Sequence, residues 1–135
     1  MPTIAVLEDD QRRITAIRAA AKHHLAAFDL RIFISAREMI EWLTNGSQDV
    51  RILSLDCDLD ATAFGDDNCG TGEDVTAYLA CNLPDYPVLI HSSNAMRAPA
   101  MHMELAMAGC KRVMLCPFQD SDTWAKDVRA QLDTG

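Results

Sequence analysis

Apolar residues along the chain come in two alternating patterns. Short runs of four or five are separated by longer stretches in which apolar positions recur every three or four residues. The runs are Thr3–Leu7 (TIAVL), Leu30–Ile34 (LRIFI), Ile52–Leu55 (ILSL), the VLIHS segment opened by Pro87, and Arg112–Cys116. They read as five strands, of which the second alternates like an edge strand and the third is apolar enough to be buried on both faces. Between them lie helical patterns. Gln11 to Phe28 carries Ile14, Ile17, Ala21 and Leu25 on one face, with Asp10 placed as its N-cap. Ser35-Ala-Arg-Glu38 has the form of a capping box, Met39, Ile40 and Leu43 give the next helix its apolar side, and Asn45-Gly46 ends it. Thr71 is placed to cap a third helix reaching about Cys81 through Val75, Tyr78 and Leu79. Pro99 suits the first turn of a fourth, which stops at Gly109 and whose Met101, Met103, Leu105 and Met107 read as packing residues. Ser121 to Leu132 forms the last, with Trp124, Val128 and Leu132 on one side.

Strict alternation of five strands with five helices predicts a parallel sheet covered by helices on both faces, because right-handed crossovers place helices on either side. The fold class is therefore α/β and doubly wound, and 135 residues suit one domain, 1–135. In such sheets ligands bind beyond the carboxyl ends of the strands. That edge gathers Glu8 and Asp9 after the first strand, Asp56 and Asp58 after the third, His91 to Asn94 after the fourth and Cys116 after the fifth.

Charge sharpens this picture. The net charge is −8, and the segment Asp56–Asp74 holds seven acids (Asp56, Asp58, Asp60, Asp66, Asp67, Glu73, Asp74) with no Lys or Arg. So many carboxylates repel one another, and a cation among them relieves the repulsion. A solvated acidic loop is the plain reading for Asp60, Asp66 and Asp67; Asp56, which closes a buried strand, is a site candidate. A pI near 4.7 argues against broad binding to nucleic-acid backbones or anionic lipid. The absence of an apolar run of membrane-spanning length, or of a basic-then-apolar export signal, makes the cytoplasm the expected location. Five cysteines without a CxxC pair suit reduced thiols.

The residues at the carboxyl edge resemble the receiver domain of bacterial response regulators (the CheY-like superfamily). The resemblance implies a flavodoxin-like sheet of order 2-1-3-4-5. In VLEDD it places Glu8 and Asp9 as magnesium ligands and Asp10 as a helix cap, and in LSLD it puts Asp56 at the phosphoacceptor position. The backbone carbonyl of Asp58 falls where the family supplies a further metal ligand. Ser92 takes the hydroxyl position, and AGCKRVMLCPF matches the final strand with its Pro-Phe turn, which in that family usually contains a cis peptide bond. The departures are specific. Receivers carry a lysine before Pro-Phe, and here the residue is Cys116, while Lys111 stands at the far end of the strand. The segment after Asp56 is also longer than the usual loop. These features are most similar to a receiver-like branch proposed to process cyclic phosphates, through Leu55-Asp56-Cys57-Asp58-Leu59, Thr71-Gly72, His91-Ser92-Ser93-Asn94, and Arg97 with Met101.

Two functions follow as expectations. One is a metal-dependent phosphoesterase acting on a cyclic phosphate, with Mg²⁺ or Mn²⁺ at Glu8, Asp9, Asp56 and Asp58. Arg97 would clamp phosphate oxygens, His91 would act as acid or base, and Ser92 or Asn94 would orient the substrate. Its partner would be a phosphate-containing small molecule or a nucleic-acid end. The other is a degenerate receiver that serves as an interaction module for a protein partner, with Asp56 as phosphoacceptor. Two residues carry structural alternatives: His91 as a strand histidine packed under a helix, and Arg97 as an arginine paired with the acidic loop. A nucleophilic role for Cys116 is opposed by the surrounding acids, which raise a thiol's pKa.

Overall fold

The computed structural model describes residues 2–46, 49–57 and 70–133. Their elements run β1 (Thr3–Leu7), α1 (Gln11–His24), β2 (Asp29–Phe33), α2 (Ala36–Thr44), β3 (Val50–Leu55), α3 (Gly72–Cys81), β4 (Val88–Ile90), α4 (Arg97–Ala108), β5 (Val113–Leu115) and α5 (Ser121–Asp133). The strands form one parallel sheet in the order β2-β1-β3-β4-β5. This is the expected doubly wound sheet, with β2 at an edge.

Because side chains alternate across a strand, each strand divides its residues between two cores. Ala5, Leu7, Leu53, Leu55, Val88 and Ile90 face one side, where Met39 of α2, Val75 and Leu79 of α3, and Met101 and Leu105 of α4 bury them. Ile4, Val6, Ile52 and Leu89 face the other, against Ile17 and Ala21 of α1 and Trp124, Ala125 and Val128 of α5. Ser54 shares that second face and is fully buried.

The helix boundaries follow local chemistry. Asp10 caps α1 by accepting hydrogen bonds from the backbone N–H groups of Arg12 and Arg13. The helix ends at His24 and not at Phe28, because Leu25 leaves the helical conformation and residues 25–28 turn the chain so that Asp29 N–H can reach the Pro2 carbonyl. Ser35 Oγ accepts from Glu38 N–H at the start of α2, and Gly109, at φ 105°, closes α4 in a left-handed conformation that costs glycine little. The packing expected of the α4 methionines holds only for Met101. Met103 and Met107 are 60% and 82% exposed, since a spacing of two puts them across the helix from the buried Met101 and Leu105. The described residues contain no cis peptide bond, so the bond before Pro117 is trans, in contrast to the turn usual in receivers.

Candidate functional site

The sheet register builds the site. Leu7, Leu55, Ile90 and Leu115 form one row across β1, β3, β4 and β5. The next residue on each strand, one step beyond the sheet's edge, is Glu8, Asp56, His91 and Cys116. Three backbone bonds continue the ladder through this row: Asp56 N–H to the Leu7 carbonyl, His91 N–H to Leu55 and Cys116 N–H to Ile90. Alternation then directs all four side chains to the α1/α5 face, in phase with Ile4 and Val6, with Ile52 and Ser54, and with Leu89. Asp9, one residue out of phase with Glu8, is not part of the resulting cluster.

Ligand atoms of Glu8, Asp56 and His91 lie within 4.8 Å of one another, and all three residues are buried. Glu8 Oε1 accepts from His91 Nε2 at 3.1 Å, and Glu8 Oε2 accepts from the backbone N–H groups of Asp9 and Asp10, each at 3.2 Å. Asp56 Oδ1 accepts from Cys57 N–H at 2.9 Å. Arg13 of α1 reaches over the cluster, 3.7 Å from Glu8 Oε1 and 3.9 Å from Asp56 Oδ2, and its guanidinium lies 5.3 Å from the centre of the Phe118 ring. Behind His91, Ser54 Oγ is 2.7 Å from Nδ1 and accepts from Trp124 Nε1–H at 2.9 Å.

The two carboxylates differ electrostatically. Burial pushes Asp56 up to about 6, and the neighbouring charge of Glu8 pushes the same way. Burial also raises Glu8, but its hydrogen bond from His91, the Asp10 N–H and Arg13 outweigh that and hold it below the usual carboxylate value. Glu8 is therefore the ionised member, and Asp56 ionises against its charge.

A glycine fixes where β3 ends. Gly72 opens α3, donates its N–H to the Cys57 carbonyl at 3.0 Å and packs so closely that a Cβ there would collide with the Asp56 carbonyl oxygen. The Thr71-Gly72 pair therefore presses the helix against the acidic strand end, and Asp74 Oδ2 accepts from Thr71 N–H to hold the turn.

The remaining candidates sit apart from this cluster. Ser92 is buried, with Oγ 3.0 Å from Cys57 Sγ and accepting from Asn94 N–H. Asn94 Oδ1 accepts from Met96 and Arg97 N–H, and its carbonyl accepts from Ala98 N–H, so it caps α4. Arg97 is bound through its guanidinium to Glu73, at the start of α3. Asp58 lies outside the described residues. Burial first, and the charge of Asp127 second, raise the Cys116 thiol, so the lysine position of receivers holds a neutral group here. Arg13, Ser54 and Trp124 escaped the sequence reading. Ser54 had a signal: it lies two residues before Asp56 on the same face, a polar residue in an apolar strand.

The sequence profile described as the cyclic-phosphate processing Receiver domain matches residues 4–107. The chain belongs to that family. Among solved structures, the receiver domain of a LuxO-type repressor from Vibrio parahaemolyticus is 17% identical, with 98% of this chain and 91% of that chain covered at a TM-score of 0.69. The phosphorylated cyanobacterial phytochrome response regulator RcpA is 14% identical, with 98% and 95% covered at a TM-score of 0.72. The beryllofluoride-activated receiver domain of nitrogen regulatory protein C is 18% identical, with 97% and 94% covered at a TM-score of 0.69. At these identities the likeness fixes the fold alone. No curated protein matches the chain.

Proposed function

We propose that this receiver-like domain is a metal-assisted phosphoesterase acting on cyclic phosphates, with its active edge at Glu8 and Asp56. The observation that carries the reading is the buried carboxylate pair, in which Asp56 is pushed up to about 6 by burial and by Glu8. Two carboxylates pressed together in this way fit a hard divalent cation such as Mg²⁺ or Mn²⁺, which prefers oxygen ligands. Asp9, next to Glu8 in sequence, and the backbone carbonyl of Asp58, two residues after Asp56, belong to the same proposed ligand set. When bound, the cation would withdraw charge from the phosphoryl oxygens and favour attack by water.

The chain's own groups supply the rest. Arg13 stands over the pair and can neutralise charge gathering on the phosphate as water adds to phosphorus and a ring P–O bond breaks. The departing oxygen needs a proton. The attacking water releases one and supplies it through solvent, since Asp56 must be ionised to hold the cation, and His91 stands behind the pair through Glu8. Since His91 is fully buried, it serves the reaction through Glu8 and not by touching substrate. In this reading Arg97 clamps phosphate oxygens once released from Glu73, and Ser92 and Asn94, in the turn that leads to it, orient the substrate. Cys116 in the lysine position argues against ordinary phosphoryl switching, because no ammonium is there to bind an aspartyl phosphate.

The test is turnover of a 2′,3′-cyclic nucleotide and a panel of related cyclic and linear phosphoesters with Mg²⁺ or Mn²⁺. Asp56→Asn is expected to lower the rate by about a hundredfold or more, while Cys116→Ser leaves it unchanged. No metal-dependent turnover of any member, together with a saturable beryllofluoride shift of β4 and β5 amide resonances, would replace the enzyme with a phosphorylation switch on Asp56.

A further inference from the structure

His91 touches the acidic pair with Nε2, and whether that nitrogen offers a lone pair or a proton decides what it can do. The answer lies on the other side of the ring. Trp124 Nε1–H is a donor only, so Ser54 Oγ must accept from it, at 2.9 Å. That leaves the serine one proton to give. Among the described residues the only other hydrogen-bond partner of Ser54 Oγ is His91 Nδ1, at 2.7 Å. If Nδ1 carried a proton, Ser54 Oγ would face two donors, and its own proton would be buried without an acceptor. With Nδ1 as acceptor every group is satisfied, and the chain runs in one direction: indole N–H to serine oxygen, serine O–H to Nδ1, Nε2–H to Glu8 Oε1. No buried side-chain nitrogen or oxygen among the described residues lacks a partner.

We propose that Trp124 and Ser54 are positioning residues that hold the His91 imidazole with its proton on Nε2, so that His91 serves the acidic pair as a hydrogen-bond donor and not as a metal ligand. A metal-binding nitrogen must present a lone pair, and here the only ring nitrogen facing the carboxylates is protonated. The three-membered donor cluster thus divides into two oxygen ligands and one group that orients them. Helix α5, through Trp124 and Ser54, thereby sets the protonation pattern at the acidic pair. Only the metal half of this inference rests on the proposed function; the placement of the proton does not.

The test is spectroscopic. In ¹⁵N-labelled protein without metal at pH 8, correlation of the His91 ring nitrogens with the carbon-bound ring protons is expected to show an unprotonated, pyridine-like Nδ1 and a pyrrole-like Nε2. The opposite tautomer, or a doubly protonated ring, overturns the proposal whether or not the protein has any enzymatic activity. Trp124→Phe keeps an aromatic ring in the core and removes the indole donor. It is expected to shift the Nδ1 resonance, a change that a purely packing role would not produce; an unmoved Nδ1 removes Trp124 from the relay. With one equivalent of Mn²⁺, pulsed EPR is expected to show no coupling to the His91 nitrogen, and a coupling lost in His91→Gln would overturn the division of the cluster. If Mn²⁺ does not bind at all, the metal reading fails while the nitrogen spectra still decide the tautomer.

Discussion

The two halves of the sheet's carboxyl edge contain similar residue types and use them differently. On the β1/β3 side, extended to the first residue after β4, the polar groups Glu8, Asp56, His91 and Arg13 converge on one another. Along the segment that leads from β4 into α4, each candidate is engaged in holding the fold: Asn94 caps α4, Arg97 pairs with Glu73, and Ser92 meets Cys57 and Asn94. The difference comes from geometry. Glu8, Asp56 and His91 lie in one row of the parallel register, where alternation sends every side chain to the same face; the second group lies on a turn, where the chain must satisfy the donors of a starting helix.

The comparison is broken most severely at Gly72. Gly72→Ala places a Cβ against the Asp56 carbonyl, and backbone cannot yield there as a flexible side chain would. The substitution is expected to destabilise the fold by about 3 kcal/mol, read by denaturant unfolding. A change within experimental error would mean that α3 does not brace the end of β3.

A pH-dependent effect comes next. Asp56 is pushed from its ordinary 3.8 to about 6, so between those values the folded protein holds a proton that the unfolded chain has released. Stability is therefore expected to fall as pH rises through that window, relative to Asp56→Asn, which has nothing to titrate there. Above it, Asp56→Asn should be the more stable protein by on the order of 3 kcal/mol. Equal stability of the two proteins at pH 4 and pH 8 would mean that Asp56 is not strained by its neighbours.

The other half of the edge should respond less. Asn94→Ala removes a helix cap and is expected to cost about 1 kcal/mol. Arg97→Ala breaks a partly exposed ion pair and is expected to cost well under about 1 kcal/mol. Thermal unfolding of both variants checks the order. A larger loss from Arg97→Ala than from Asn94→Ala would show that the pair with Glu73 organises the segment.

Much of this was legible in the sequence because two periodicities carry it. Runs of apolar residues ending in VLED, LSLD and VLIH announce strands and put Glu8, Asp56 and His91 at one edge. The same period of two, followed one step further, places Ser54 under Asp56 and separates Glu8 from Asp9. Arg13 and Trp124 were not legible, because each reaches the site from a helix whose angle and depth are set by tertiary packing. The engagement of Arg97 by Glu73 was open as an alternative in the sequence, and choosing between the two required knowing that α3 and α4 begin side by side.

The account turns on whether the Glu8–Asp56 pair holds a divalent cation, and calorimetric titration with Mg²⁺ and Mn²⁺ measures that directly. Wild type is expected to bind one ion, Asp56→Asn to bind it at least about tenfold more weakly, a loss of about 1.4 kcal/mol, and Arg97→Ala to bind it as wild type does. Equal binding by wild type and Asp56→Asn, or a larger loss in Arg97→Ala, would contradict the account and move the site to the other half of the edge.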